Sequence, residues 1–165
     1  MPEDERPTVL VVDDEQEVAE AYALWLSGDY DVRTAHNGQE ALEKMDDDVD
    51  VILLDRRMPR MSGDETLQEI NERGYDCLVG MVTAVDPDYD IVDMEFDEYL
   101  TKPVTRQEIN ETVEDLLALK EREADERRAV SLANKQSALE SHKTSEELAD
   151  ERYHELLDRR ENVER

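Results

Sequence analysis

Apolar and polar positions fall in short blocks along the chain, and the spacing within the blocks changes in a regular order. Thr8-Val-Leu-Val-Val12 is a brief apolar run that reads as a buried strand. From Glu15 to Ser27, Val18, Tyr22, Trp25 and Leu26 form a helical stripe. Asp31 to Ala35 alternates as a strand does, and Gly38 to Met45 sets Ala41, Leu42 and Met45 on one helical face. Val49 to Leu54 ends in Val51-Ile-Leu-Leu54, the signature of a strand covered on both faces. Ser62-Gly-Asp-Glu65 has capping-box spacing and opens a helix through Leu67 and Ile70 that stops near Gly74. Cys77 to Val82 and Glu98 to Thr101 are two further strands. Thr105-Arg-Gln-Glu108 repeats the capping box before a helix with Ile109, Val113, Leu116 and Leu117 inside.

Strands alternate with helices throughout. That order predicts an α/β fold, a doubly wound parallel five-stranded sheet with helices on both faces. In such sheets the functional crevice lies at the carboxyl ends of the strands. Asp13 and Asp14 follow strand one, Asp55 ends strand three, Thr83 ends strand four and Lys102 follows strand five. Three carboxylates sharing a crevice repel one another and would sooner protonate than stay unpaired. A hard divalent cation resolves this, and Mg²⁺ takes oxygen ligands while keeping sites for water and phosphate. With Lys102 as a fixed charge and Thr83 as a hydroxyl donor, the set suits a phosphoryl group that one carboxylate could accept as an acyl phosphate. Asp13 and Asp14 are neighbours and are placed as a metal pair. Asp55 stands alone, where it can face Thr83 and Lys102, and is the expected nucleophile.

Charge changes the picture next. The 165 residues carry 46 acidic against 19 basic side chains, a net −27, with 38% apolar residues. A core can be built, but the carboxylates would repel in dilute solution. In about 1 M salt the Debye length is only ~3 Å, so the composition points to a protein of a halophilic cell. The single Cys77 excludes an intramolecular disulfide and is read as a small core residue. Met1 to Pro7 is polar and charged, unlike a signal peptide, and no apolar run approaches a membrane span, so a cytoplasmic protein without membrane contact is expected.

Four short motifs now stand in order: Val11-Val-Asp-Asp14; Asp55 followed by Met58-Pro59 and Met61-Ser62-Gly63; Thr83-Ala84; and Lys102-Pro103. Together they resemble the receiver domain of two-component response regulators, the CheY-like, flavodoxin-like fold, over about residues 7–118. The resemblance implies that Asp14 and Asp55 ligate Mg²⁺ directly, that Asp13 helps through water, and that the main-chain oxygen of Arg57 completes the protein ligands. It implies that Asp55 accepts phosphate from a phosphohistidine on a sensor histidine kinase and that Lys102 contacts the phosphoryl group. It further implies that Thr83 moves toward that group, that Tyr99 swings inward behind it, and that the Lys102–Pro103 bond is cis. The stretch from Thr83 to Lys102 is two or three residues shorter than usual for the family, and Asp86 to Asp97 lacks its usual small-residue pair. The fourth helix is therefore expected to be short or irregular, which disturbs the family's common dimer surface.

The receiver is assigned to residues 1–118 and a helical extension to 119–165. The extension carries ten basic and thirteen acidic residues, whereas the first 118 residues carry nine and thirty-three. It has no Pro or Gly, and Tyr153 is its one aromatic residue. Ala129, Leu132, Ala133 and Leu139 form one narrow stripe; Ala149, Tyr153, Leu156, Leu157 and Val163 form another. Thr144-Ser-Glu-Glu147 is a third capping box and breaks the region near residue 143. Two helices in a hairpin or docked on a partner are expected, because one short stripe cannot stabilise an isolated helix. The extension resembles the HalX type that follows receivers in halophilic archaea. A homodimer or a partner protein bound through these helices is the expected output.

Other readings are weaker. A DNA-binding transcription regulator is the alternative, but no helix-turn-helix pattern fits the last 45 residues and the field opposes nucleic acid. A phosphatase with an aspartyl nucleophile typically has a second acid two residues on, where this chain has Arg57, so the protein is expected to be a phosphoacceptor and not a turnover enzyme. Asp46-Asp-Asp48 reads as a solvated turn, and His36, His142 and His154 as surface residues. Arg56 and Arg57 read as local charge balance, with Arg57 overhanging the site.

Overall fold

The computed structural model describes residues 6–144 and 147–164. The first five residues of the polar opening segment and the middle of the third capping box, Ser145 and Glu146, lie outside them. Five strands, β1 (Thr8–Val12), β2 (Asp31–Ala35), β3 (Val49–Leu54), β4 (Leu78–Thr83) and β5 (Glu98–Thr101), form one parallel sheet in the order β2-β1-β3-β4-β5. The helices α1 (Gln16–Leu26), α2 (Gly38–Lys44) and α3 (Gly63–Arg73) connect the first four strands, and α4 (Arg106–Lys120) follows β5. The doubly wound sheet is as expected from the pattern.

Alternation within the strands feeds two cores. Val9, Val11, Val51 and Leu53 pack with Ala19, Tyr22 and Leu26 of α1 and with Ile109, Val113 and Leu116 of α4. Leu10, Val12, Ile52 and Leu54 face the other way, toward Ala41 of α2 and Leu67 and Ile70 of α3. Both N-caps form: Ser62 Oγ accepts from Glu65 N at 3.1 Å, and Thr105 Oγ1 accepts from Glu108 N at 3.1 Å. Gly74 ends α3 with φ +73°, a left-handed conformation that favours glycine. Three elements shift by a residue at their ends: β4 begins at Leu78 and ends at Thr83, Glu15 and Ser27 flank α1 as caps, and Met45 caps α2. Between β4 and β5 there is only a 3-10 helix, Tyr89–Asp93, in agreement with the shortened segment.

The extension forms α5 (Ala124–His142) and α6 (Glu151–Glu164), joined through a 3-10 turn at Glu147–Ala149. Thr144 and Glu147 bond reciprocally, with Thr144 N donating to Glu147 Oε1 at 3.1 Å and Glu147 N to Thr144 Oγ1 at 3.2 Å. The two helices do form a hairpin, and what covers their stripes is the receiver itself. Leu132, Leu139, Tyr153 and Leu156 are buried in one cluster with Tyr89, Ile91, Val92, Phe96 and Tyr99. The stripes differ in detail from the sequence reading. Ala149 is exposed, Ala129 and Ala133 are half-buried, and Lys135 is buried. The joint also differs, since α4 runs on to Lys120 with Leu119 inside the receiver core.

Lys135 is buried because a 3-10 helix ends in carbonyls without intrahelical partners. Its ammonium donates to the main-chain oxygens of Val92 and Met94 and lies 5.2 Å from the Phe96 ring centre. Arg159 of α6 donates to the same Val92 oxygen at 3.0 Å and to Asp93 at 3.0 Å. Ser131 Oγ donates to Asp97 Oδ1 at 2.7 Å, and Asn134 donates to the Asp97 carbonyl at 2.7 Å. Burial, with the charge of Arg159 beside it, lowers the Lys135 pKa from 10.5 to about 8, and Glu95, Asp97 and Asp93 offset part of this.

Two measurements follow from this packing. A Cβ on Gly63 would stand 1.9 Å from the Asp55 carbonyl oxygen, so Gly63→Ala is expected to destabilise the chain by about 2 kcal/mol in chemical unfolding. Lys135 contributes stability that is complete above pH 10.5 and lost as pH falls through about 8, because there the unfolded chain holds a proton that the folded one releases. Tm is expected to rise by about 3 °C between pH 7.5 and 9.5, and Lys135→Met to flatten that rise.

Candidate functional site

Hydrogen bonds of the parallel ladder continue one residue past the strands and so bring their following residues to a common edge. Asp13 N donates to Ala35 O at 3.1 Å, Asp55 N to Val12 O at 3.0 Å, and Lys102 N to Thr83 O at 2.7 Å. One carboxylate oxygen from each of Asp13, Asp14 and Asp55 lies within 4.8 Å of the others. Asp13 is 1% exposed and Asp55 7%, while Asp14 is open to solvent. Lys102 Nζ lies 2.5 Å from Asp13 Oδ2 and 3.2 Å from Asp55 Oδ2. The remaining oxygens take main-chain donors: Glu15 N on Asp13 Oδ1 at 3.0 Å, and Arg57 N on Asp55 Oδ1 at 3.3 Å.

Burial raises the Asp13 pKa, although the Lys102 hydrogen bond and the Glu15 amide pull it down, and the neighbouring Asp55 charge adds to the rise. Burial also works against the charged form of Lys102, but its bond to Asp13 and the charges of Asp55 and Asp13 outweigh that, so it stays an ammonium. The site is thus an all-oxygen acidic cluster with one fixed cation and an open side at Asp14 and the exposed Arg57. Such a donor set fits a hard divalent cation.

The Lys102–Pro103 peptide bond is cis, as the motif implies. Thr83 closes β4 fully buried, its Oγ1 accepting from Val85 N at 3.3 Å. Tyr99 is 6% exposed and already points inward, its hydroxyl donating to Val85 O at 2.6 Å. Gly63 is required where α3 meets the site: its N donates to Arg56 O at 2.7 Å, and no side chain fits against Asp55. His36 is half-buried, with Nδ1 3.4 Å from the Asp13 carbonyl oxygen, while His142 and His154 are exposed on the extension. Asp46 accepts from Arg33 in an exposed turn.

Arg56 is the residue that sequence reasoning undervalued. Beyond local charge balance, it is 6% exposed and donates to Asp64, Asp90 and Tyr99. Burial opposes its charge, yet the bonds to Asp64, Tyr99 and Asp90 carry its pKa above the ordinary arginine value. The available signal was a basic pair placed directly after Asp55 in a strongly acidic domain. Its partners are 8, 34 and 43 residues away and could not be read from spacing.

Comparison with known proteins agrees with this geometry. The response regulator receiver domain family matches residues 9–114, and the HalX domain family matches residues 123–165. A protein of Haloferax volcanii named as a transcriptional regulator is 49% identical over 156 residues, which are 94% of this chain and 27% of that one. The alkaline phosphatase synthesis transcriptional regulatory protein PhoP of Bacillus subtilis is 36% identical over 115 residues, 66% of this chain and 48% of its own. The chain therefore spans less than half the length of these two relatives. Among solved structures, the response regulator TrrA of Thermotoga maritima in complex with Mg²⁺ and BeF is 34% identical with a TM-score of 0.59, covering 67% of this chain and 99% of its own. A receiver domain of Methanospirillum hungatei has a TM-score of 0.67 at 24% identity, covers 71% of this chain and 98% of its own, and shows the shared fold. With two family matches in series and the acidic site between the strand ends, the chain belongs to the response regulator receiver family and carries a HalX domain behind its receiver.

Proposed function

We propose that Asp55 accepts a phosphoryl group from a phosphohistidine of a sensor histidine kinase, with Mg²⁺ held by Asp13, Asp14, Asp55 and the main-chain oxygen of Arg57. The observation that carries this reading is the convergence of the three carboxylates within 4.8 Å beside Lys102. An Asp55 oxygen attacks phosphorus, the phosphorus–nitrogen bond breaks, and its electron pair leaves with the imidazole. Asp55 becomes an acyl phosphate. The bound metal would neutralise charge on the transferring group. Lys102, already poised between Asp13 and Asp55, follows the new oxygens, and the Thr83 hydroxyl turns to them as donor. Tyr99 behind Thr83 completes the switch.

The chain acts as a phosphoacceptor and does not turn over an external substrate. It works in the cytoplasm, away from membranes, and signals through protein contacts of its C-terminal helices with a second copy or another protein. A transcriptional role is the second reading, favoured by the names that the two partial relatives bear. Binding to duplex DNA at both low and molar salt would support it.

A small phosphodonor with Mg²⁺ is expected to add one phosphoryl group to the native protein, seen by intact mass, and none to Asp55→Asn. Equal labelling of both would overturn the assignment. Chelation of divalent cations is expected to abolish labelling, and steady hydrolysis of a phosphate ester would refute the phosphoacceptor reading.

A further inference from the structure

Arg56 directly follows Asp55, and its guanidinium joins three separate parts of the receiver. Nε and Nη2 donate to the two Asp64 oxygens of α3 at 3.0 and 2.9 Å. Nη2 also reaches Asp90 of the 3-10 helix at 2.5 Å, and Nη1 reaches the Tyr99 hydroxyl at 3.3 Å. Tyr99 in turn holds the Val85 carbonyl, two residues past Thr83. A buried guanidinium keeps its proton and has a rigid fork of donors, so leaving one of its positions empty is unfavourable. Displacing Tyr99 or Asp90 therefore disturbs the whole set.

The same two elements carry the HalX hairpin. The Tyr99 ring packs on Phe96 with centroids 5.6 Å apart, and Lys135 of α5 lies over the Phe96 ring. The 3-10 helix that contains Asp90 offers its Val92 carbonyl to both Lys135 and Arg159. At its other end, Tyr89 takes Lys143 at 5.2 Å and Arg152 at 4.7 Å over its ring. The hairpin is thus seated on a receiver whose Tyr99 is inward and whose Asp90 is tied to Arg56. Whatever favours that arrangement of the receiver favours the seated hairpin, and the reverse holds equally.

We propose that Arg56 is a positioning residue that couples the phosphoacceptor site to the HalX hairpin. Through Tyr99 and Asp90 it shapes the surface on which α5 and α6 sit, so that phosphorylation at Asp55 and seating of the hairpin strengthen each other. The inference rests on the reading of Asp55 as phosphoacceptor. It makes the hairpin an intramolecular reporter of the site, held more firmly in the phosphorylated protein.

The test uses the full chain, a small phosphodonor with Mg²⁺, intact mass to count phosphoryl groups, and hydrogen exchange to follow α5 and α6. In the native protein, phosphorylation is expected to slow amide exchange in both helices at least about fivefold, the lower end of ordinary coupling between sites. Arg56→Met and Asp90→Asn are expected to take up one phosphoryl group but to lose that phosphorylation-dependent slowing. A merely structural role would move exchange in both states alike and leave the difference intact. Asp90 is largely exposed and its loss leaves Arg56 paired with Asp64, so Asp90→Asn decides the matter if Arg56→Met does not fold. A mass increase in the native protein without slower exchange overturns the coupling alone, as does full slowing in Asp90→Asn. Absence of any mass increase overturns the Asp55 reading and the coupling together.

Discussion

The structure turns on one electrostatic arrangement: two nearly buried carboxylates, Asp13 and Asp55, share the ammonium of Lys102 at the carboxyl edge of a parallel sheet. The ladder delivers these groups whether or not their charges agree, because each follows the last paired residue of its strand. Lys102 makes the acids tolerable together, and the exposed Asp14 leaves a side open for further charge. The two cores, on opposite faces of the sheet, hold β1 and β3 in the register that this balance requires.

Charge also organises the second half of the molecule. The receiver is heavily acidic and the extension nearly balanced. At their junction, extension cations meet receiver oxygens: Lys143 at Asp88, Arg159 at Asp93 and Arg127 at Asp76. These pairs are partly exposed, so concentrated salt weakens them. The Lys135 contacts with main-chain carbonyls are shielded from solvent, and the shared apolar cluster does not depend on charge. In molar salt the docking therefore rests mainly on what is buried.

Much of this was legible in the sequence. Apolar runs marked β1 and β3, alternation marked β2, and apolar stripes at helical spacing marked the long helices. The capping boxes at Ser62 and Thr105 marked helix starts to the residue. The acidic pair, Asp55, Thr83 and Lys102 were readable because strand ends converge by topology alone. Arg56 and Lys135 were not. Both are cations that would ordinarily be solvated, and both are buried by oxygens from distant segments. Nor could composition say what covers the extension, since an apolar stripe specifies the need for a partner but not its identity.

One further consequence follows from where α5 runs. β5 is the last strand of the sheet, and an open edge of unpaired amides and carbonyls invites another chain to add a strand. α5 lies beside that edge, with Val130 packed into one core, Leu132 and Leu139 in the other, and Asn134 bonded to the carbonyl just before β5. The opposite edge strand, β2, instead bears the exposed Asp31 and the partly exposed Arg33. α5 thereby occupies the side of the sheet at which a strand of another chain would add.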